Sequence, residues 1–280
     1  MALGTSQVTI TTAANFIPER WGPAVIKAVE ESLVLWDKCW DWFEEGKGLG
    51  DIIHVPGVSN LTTAAKSANT EVVLSAPTEG VTNLTIGEHQ HCAFLIEDLA
   101  KVQMSFNLLD HYTKKAGYSV REVMDTAIAD RIASLSQIVG AAGVDLGDAD
   151  IRDAIELLDL AIAPEEWRYL VIYPTQKNAL FAIEKYFRAD MRGDGASSIL
   201  KRGKFGEIYG VPVYVTTNLG TSGGSRLNAL FQKETWAKAL QLGPRVQSDY
   251  LLEYLGNLTV VDVIYGSIEA RDTFGVWMRS

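Results

Sequence analysis

Cysteine is scarce in this sequence: its 280 residues contain two, Cys39 and Cys92. Two cysteines exclude a disulfide framework and a zinc site built from cysteines, and they fit a reducing compartment. Long apolar runs are also missing, and because no stretch of about 18 apolar residues occurs, no membrane-spanning helix is expected. The first twenty residues have neither a basic start nor an apolar block, so no signal peptide is expected.

Positive charge is in deficit as well. The chain has 25 Lys and Arg against 35 Asp and Glu, a net charge of −10 and a pI near 4.9. An acidic surface of this kind repels phosphate, which argues against a dedicated nucleic-acid-binding domain. The hydrophobic content of 47% and the charged content of 21% are typical of globular proteins. A chain of this length therefore forms one large domain or two small ones.

Signals for catalysis are weak. No G-x-x-x-x-G-K-[ST] or H-E-x-x-H motif occurs, and no nucleophile elbow is expected. The glycines of Gly46–Gly50 resemble a phosphate loop but lack a preceding strand and a following helix, so we interpret them as a turn. A catalytic pair of Cys39 or Cys92 with a histidine stays open, although nothing in the sequence activates either thiol. We expect no catalytic, cofactor-binding or metal-binding residue, and no enzymatic activity.

Several other patterns are better explained by structure than by chemistry. His89 and His91 point the same way on a predicted strand but have no third metal ligand nearby. The acidic residues after the loop 140–147 fail the spacing of a calcium loop and fit the first turns of a helix: Asp148, Asp150, Asp153 and Asp159. We interpret the tripeptide Arg192-Gly-Asp194 as an exposed loop. The three Asn-Leu-Thr sequences begin at Asn60, Asn83 and Asn257. We interpret them as short repeats with a local structural role rather than as glycosylation sites.

The hydrophobic periodicity predicts helices mixed with strands. Helices are predicted over 18–37, 105–116, 119–139, from Asp148 or Asp150 to Ile162, 175–187 and 233–240. The helix over 119–139 begins with a capping box at Ser119 and Glu122. Strands are predicted over 51–58, 70–74, 83–95, 167–173, 208–217, 227–231, 258–265 and 269–278. The first two form a long hairpin with a polar tip at 59–69, and Pro212 marks its strand as an edge or a bulge.

Five segments together resemble the major capsid proteins of tailed bacteriophages, which share the Hong Kong 97-type fold. Each segment is weak evidence by itself, but their order and spacing make the resemblance specific from about residue 15 to the C-terminus. They are Asn15–Trp21, Gly50–Pro56, Phe94–Gln103, Gly206–Asn218 and Tyr265–Phe274.

The resemblance implies an α+β fold with the parts of such a capsid protein. In such a fold the first half of the chain would contain an N-arm (1–15), an N-terminal helix leading into the peripheral domain (16–49), an E-loop hairpin (50–80) and the peripheral domain with its spine helix (81–139). The second half would contain an axial domain (140–256) and C-terminal strands of the peripheral domain (257–280). The function implied is that of a structural protein, which self-assembles into pentamers and hexamers of an icosahedral head around double-stranded DNA. The protein would then belong to the virion and assemble in the cytoplasm of a bacterial host.

The same resemblance implies partners. Met1 lies directly before the arm, with no scaffolding segment ahead of it, which predicts a separate scaffolding protein or none; a portal is also expected. DNA would be enclosed without sequence-specific binding, because a non-basic inner wall does not hold phosphate. Some relatives cross-link a lysine of the E-loop to an asparagine of another subunit, and Lys66 lies near the tip here. No acceptor or catalytic glutamate is recognisable, so we interpret Lys66 as a solvated or ion-paired lysine.

Two alternatives remain open from the sequence. An encapsulin-like nanocompartment uses the same fold to enclose enzyme cargo instead of a genome. A small α/β enzyme without a recognisable motif is the less favoured alternative. Loss of turnover on substitution of Cys92 or a histidine would favour the enzyme.

Overall fold

The protein is described here from a computed structural model. The structure describes residues 33–42, 50–58, 61, 63–72, 74, 79–103, 108–187 and 206–280. The predicted arm 1–15, most of the predicted helix 18–37 and the tripeptide at Arg192 lie outside the described residues. Of that helix, the described part forms only a 3₁₀ turn at Trp36–Lys38, which leads into the short strand β1, Trp40–Asp41.

A two-stranded antiparallel ribbon follows. Strand β2, Ile52–Val58, pairs with β3, Glu79–Thr85, in a register that sets Ile52 opposite Thr85. The predicted return strand 70–74 is wrong, since residues 70–72 and 74 have no strand structure. Val72 and Leu74 are 64% and 91% exposed. The alternation of apolar residues that predicted a strand here therefore does not correspond to a buried face. Leu84, in contrast, is fully buried on β3.

A four-stranded sheet adjoins the ribbon. It contains β1, β4 (Glu88–Glu97), β12 (Trp236–Leu251) and β13 (Gly256–Glu269) in the order β1-β12-β13-β4. The single strand predicted over 83–95 is divided between β3 and β4. The helix predicted over 233–240 is wrong: a 3₁₀ turn at Lys233–Thr235 passes directly into β12. Trp236, Ala237 and Ala239 are fully buried there, so tertiary pairing with β13 outweighs the helical preference of alanine.

The longest helix packs across this sheet. After α1 (Asp98–Gln103), α2 spans Leu108–Arg131 without a break, so the predicted stop at Gly117 and capping box at Ser119 are wrong. A glycine inside a helix costs about 1 kcal/mol, which burial of Ala116 and Val120 against the sheet offsets. The helix ends earlier than predicted, because residues 137–140 form strand β5 (Gln137–Gly140) after a 3₁₀ turn at Ile132–Ser134.

The second sheet is mixed and has six strands. Besides β5 it contains β6 (Arg168–Ile172), β7 (Glu207–Ile208), β8 (Val211–Val215), β11 (Asn228–Gln232) and β14 (Gly275–Arg279). Their order in the sheet is β5-β14-β11-β6-β8-β7. The single strand predicted over 269–278 is wrong: Glu269 ends β13 in the four-stranded sheet, and β14 begins at Gly275 in the six-stranded sheet. That strand runs between β11 and β5, where Val276 and Met278 are fully buried in the core of this sheet.

Helices cover the six-stranded sheet. They are α3 (Asp148–Leu160), α4 (Pro174–Phe181) and α5 (Glu184–Phe187), and the last two replace the single helix predicted over 175–187. A two-stranded turn, β9 (Thr221–Ser222) and β10 (Ser225–Arg226), completes the fold. Pro212 lies on β8 between β6 and the two-residue strand β7, one strand in from the sheet edge.

Gly266 is one of the points at which the ribbon meets the four-stranded sheet. A Cβ atom there would lie 2.4 Å from the carbonyl oxygen of Thr85 and 3.0 Å from the Cα of Ile86. Both are backbone atoms and cannot rotate away. Only glycine therefore lets the end of β3 lie directly on β13.

We expect Gly266→Ala to lower the free energy of unfolding by about 2 kcal/mol or more, as overpacking against backbone does. Gly80→Ala is the matched control, because its Cβ atom would have no heavy atom within 4 Å. Urea unfolding of the two variants measures the difference. Equal stabilities would show that β3 can move away from β13 at little cost.

Candidate interaction surfaces

His89 takes part in a hydrogen-bonded network with Asp262 and Arg245 rather than in a metal site, while His91 lies exposed on β4. Nε2 of His89 lies 3.1 Å from Oδ2 of Asp262 on the neighbouring strand β13. Arg245 donates two hydrogen bonds to the same carboxylate, at 2.8 and 2.9 Å, and these hold the pKa of Asp262 at about 2. Within the described ranges no three metal-ligating side chains come together. The Asp262 carboxylate therefore already has two partners within the protein, Arg245 and His89.

The two cysteines lie in different environments. Cys39 is 2% exposed and its thiol donates to the carbonyl of Leu35 at 3.2 Å. Burial raises the pKa of Cys39 to about 12, so this thiol is not ionised at neutral pH and is a poor nucleophile. Cys92 is half-buried on β4, where it packs against the cluster beneath α2. In the described part of the chain no histidine forms a hydrogen bond to either thiol.

One motif was missed in the sequence. Gly220–Gly224 matches the pattern G-x-S-x-G, which in hydrolases places a serine between a strand and a helix. Here Ser222 lies in the tight β9–β10 turn, opposite Ser225. Gly223 and Gly224 occupy it with φ of 58° and 81°, which is the conformation of a two-residue hairpin turn. The glycines are explained by the turn, and the motif is not a nucleophile elbow.

The acidic residues of α3 bind the protein's own side chains. Asp148 accepts hydrogen bonds from Tyr186 at 2.7 Å, Tyr209 at 2.6 Å and Lys185 at 3.0 Å. Asp150 instead accepts the backbone N–H of Gly147 at the start of the helix, as expected for a helix cap. Because Tyr186 and Tyr209 lie on either side of residues 188–206, Asp148 joins the two ends of that segment. We call this group the Asp148 clasp.

Removing the Asp148 clasp is expected to change how stability depends on pH. Burial acts to raise the pKa of Asp148, but its hydrogen bonds outweigh burial and lower it from 3.8 to about 2. The contribution is therefore present above about pH 4 and is lost as the pH falls towards 2. Asp148→Asn should reduce the unfolding free energy at pH 7 by about 2 kcal/mol and flatten its acid dependence. Asp153→Asn, an exposed change on the same helix, should do neither in urea titrations at several pH values.

The ribbon and the segment between its strands expose apolar side chains that the described part of the chain leaves uncovered. The exposed fractions are 40% for Ile52, 65% for Leu61, 64% for Val72, 91% for Leu74 and 59% for Val81. A two-stranded ribbon is marginal by itself in water. Large apolar side chains grouped on such an element indicate a surface that another chain covers.

A second apolar surface lies at the far end of the four-stranded sheet. The N–H of Asp98, at the start of α1, donates to the carbonyl of Leu255 at 2.9 Å, and Tyr250 donates to the Asp98 carboxylate at 2.6 Å. These bonds bring α1 beside the β12–β13 turn. We call the exposed apolar side chains of α1 and the turn the distal patch: Leu99 (66%), Val102 (82%), Leu252 (78%), Tyr254 (61%) and Leu255 (63%).

Sequence reasoning missed the distal patch. Its two halves are about 150 residues apart in the chain, and only the pairing of β4 with β13 brings them together. The run from Leu251 to Leu255, three leucines and a tyrosine at a turn where polar residues are usual, was the available signal.

Comparison with known structures identifies the fold. No family model matches the sequence, and no curated protein matches it. A structure from Mycobacterium phage Che8 is 23% identical with a TM-score of 0.83, covering 94% of this chain and 97% of that chain. The capsid of the cyanophage P-SCSP1u is 16% identical with a TM-score of 0.81, covering 99% and 96%.

The capsid of a native GTA particle is 12% identical with a TM-score of 0.74, covering 98% of this chain and 99% of that chain. The expected α+β class and Hong Kong 97-type fold are therefore confirmed, as is the resemblance in fold to phage capsid proteins. Among the described residues, no helix combines the length and the hydropathy needed to cross a membrane.

Proposed function

We propose that this protein is the structural shell subunit of a tailed-phage head, which assembles in rings of five and six around double-stranded DNA. The observation that carries the proposal is the likeness over 99% of the chain to a phage capsid, with a TM-score of 0.81. The exposed apolar side chains of the ribbon and of the distal patch support it, because both are surfaces that neighbouring subunits would cover.

We assign a proposed role to each part of the fold by its position in the chain and in the sheets. The ribbon β2–β3, with residues 59–78 between its strands, is the proposed E-loop, and α2 is the proposed spine helix. The four-stranded sheet is the proposed core of the peripheral domain. The six-stranded sheet with α3 to α5 is the proposed axial domain, which meets its copies around five- and six-fold axes. Under this assignment β12 moves to the peripheral domain and β14 to the axial domain.

The negative net charge of the chain fits a protein that encloses DNA rather than one that binds it. With a net charge of −10, a shell wall presents few cations to phosphate, so a packaged genome would slide along it without being held. The proposed partners are further copies of the chain, a scaffolding protein, a portal and the enclosed DNA. The proposed location is the virion, after assembly in the host cytoplasm, and the proposed role involves no catalysis.

Sedimentation and negative-stain microscopy test the proposal. The protein is purified alone and after co-expression with the genes that neighbour its own. We expect closed particles in at least one preparation, with nucleic acid inside particles taken from infected cells. Particles that enclose a folded enzyme instead would indicate an encapsulin-like nanocompartment. A chain that stays monomeric at high concentration in every preparation would refute the shell function.

A further inference from the structure

Strand β4 forms one edge of the four-stranded sheet, next to β13. The register of the two strands is unbroken from the pair Glu97 and Gly256 to the pair Glu88 and Tyr265. In an antiparallel pair every second residue directs its N–H and C=O away from the partner strand. No described strand pairs with the other side of β4, so half of its ten residues offer backbone groups to a further strand.

This edge lacks the features that normally prevent strand addition. Natural edge strands are kept short, bulged, covered, or interrupted by lysine or proline. In contrast, β4 is ten residues long, has no register shift, and contains no lysine, arginine or proline. Residues 88–91 are all exposed, and exposed residues alternate with half-buried ones over 92–97. The edge is therefore open to pairing along its length.

Apolar side chains lie beside this free edge on the face of the sheet that α2 covers. Phe94 of β4 is half-buried there and packs on Tyr112 of α2, with 5.7 Å between the ring centroids. Tyr112 is itself an exposed side chain. A strand added beside β4 would set every second side chain against this pair of rings.

Residues 6–12 have the composition of a strand that adds to such an edge. Their sequence, Ser-Gln-Val-Thr-Ile-Thr-Thr, places Val8 and Ile10 on the same side of an extended chain, and β-branched residues favour strands. The first charged side chain of the protein is Glu19. Because residues 6–12 are uncharged, an acidic subunit does not repel them.

We propose that residues 6–12 of a second copy add to β4 as a fifth strand of the sheet. Main-chain hydrogen bonds to the free edge supply the affinity, as in other cases of strand addition. Val8 and Ile10 then pack on Phe94 and Tyr112, which fixes the face that the added strand presents to the subunit.

The chain between Thr12 and Leu33, the first described residue, is long enough for this contact. Fully extended, it spans about 70 Å, so it reaches a neighbouring subunit. The chain's own N-terminal segment enters the sheet through β1, at the edge opposite β4, which favours a strand from another copy. The inference rests on the proposed function, because assembly brings that copy beside β4.

A fluorescein-labelled peptide of residues 3–14 tests strand addition. It is titrated with the full-length chain carrying V8P/T9P, since proline donates no backbone hydrogen bond and such a chain does not fill the edge itself. We expect saturable binding that changes little with added salt, because the peptide has no charged side chain. A peptide that carries V8P/T9P should bind at least about tenfold more weakly.

A substitution beside β4 tests where the peptide binds. Tyr112→Ser removes exposed apolar surface next to Phe94 and should weaken binding about fivefold. Leu160→Ser also removes an exposed apolar side chain, at the end of α3, and should bind as the parent does. Circular dichroism confirms that each variant is folded. Equal affinities of the two peptides, or no effect of Tyr112→Ser, would overturn the proposal.

Cross-linking between differently tagged full-length chains tests whether the strand comes from a second copy. One chain carries Thr9→Cys and the other Leu95→Cys, both with Cys92→Ala, and a bismaleimide joins thiols that lie close together. Cys39 is buried and does not compete. We expect links between the two kinds of chain. If links form only within a chain that carries both new cysteines, each copy fills its own edge and the proposal is wrong.

Two outcomes separate this inference from the shell function. Particles that form normally from the V8P/T9P chain overturn strand addition alone. Peptide binding and links between chains, in a protein that never forms particles, keep strand addition and overturn the shell.

Discussion

Replacing residues 59–78 by an Asn-Gly turn is expected to leave the subunit folded and to abolish particles. Val58 and Glu79 are already opposite each other in the ribbon, so a two-residue turn can join β2 to β3 directly. The described residues removed belong to no strand or helix, and Leu61, Val72 and Leu74 are mostly exposed. The subunit's own core therefore loses little, whereas the surface offered to a neighbour is lost.

The melting temperature of the shortened chain should change by no more than a few degrees, while sedimentation should show no particles. A chain with 59–78 replaced by an equally long Gly-Ser linker is the control for connectivity and should also fail to assemble. If the shortened chain unfolds, the segment belongs to the subunit core. If it assembles normally, the E-loop assignment is wrong.

Charged substitutions in the distal patch should have an effect of similar size on assembly. Val102 and Leu252 are 82% and 78% exposed, so Val102→Asp with Leu252→Asp should change the unfolding free energy by less than about 1 kcal/mol. In a particle the same carboxylates would be buried between subunits without partners, which is strongly unfavourable. We expect particle yield to fall at least tenfold relative to the natural chain.

Methionine at the same two positions is the matched control, because it keeps the surface apolar and adds no charge. Val102→Met with Leu252→Met should assemble. Quantitative sedimentation of the two double variants makes the comparison. Normal particles from the aspartate variant would show that the distal patch faces solvent in the assembly.

Much of the fold could be predicted from the sequence because its strongest patterns are local. The apolar stripe of α2, with Val120, Met124 and Ile128 at helical spacing, predicted a helix that the structure contains. The apolar run over 167–173 and the strand pattern over 258–265 likewise predicted strands, which the structure contains as β6 and as part of β13. The resemblance to the fold family rests on the order of five short segments. Hydrophobic periodicity alone does not identify that family.

The errors share a physical cause. Residues 236–240 read as a helix from local preference, yet they form the start of β12 because Trp236 and Ala237 are buried against the sheet. Residues 137–140 continue the helical spacing of α2 but pair with β14. In both cases a partner more than 25 residues away decides the conformation, and a local pattern carries no information about that partner.

The interaction surfaces were harder to predict than the fold. The exposed Val72 and Leu74 could be recognised because no local core was available to cover them. The distal patch and the Asp148 clasp each combine residues from distant parts of the chain.

Cryo-electron microscopy of the assembled protein tests the central claim most directly. We predict closed icosahedral particles in which the six-stranded sheets surround five- and six-fold axes. The ribbon β2–β3 should lie across a neighbouring subunit, and the distal patch should be covered at a contact between subunits. Particles in which the ribbon folds back on its own subunit and the distal patch faces solvent would contradict the claim, as would the absence of particles under every condition.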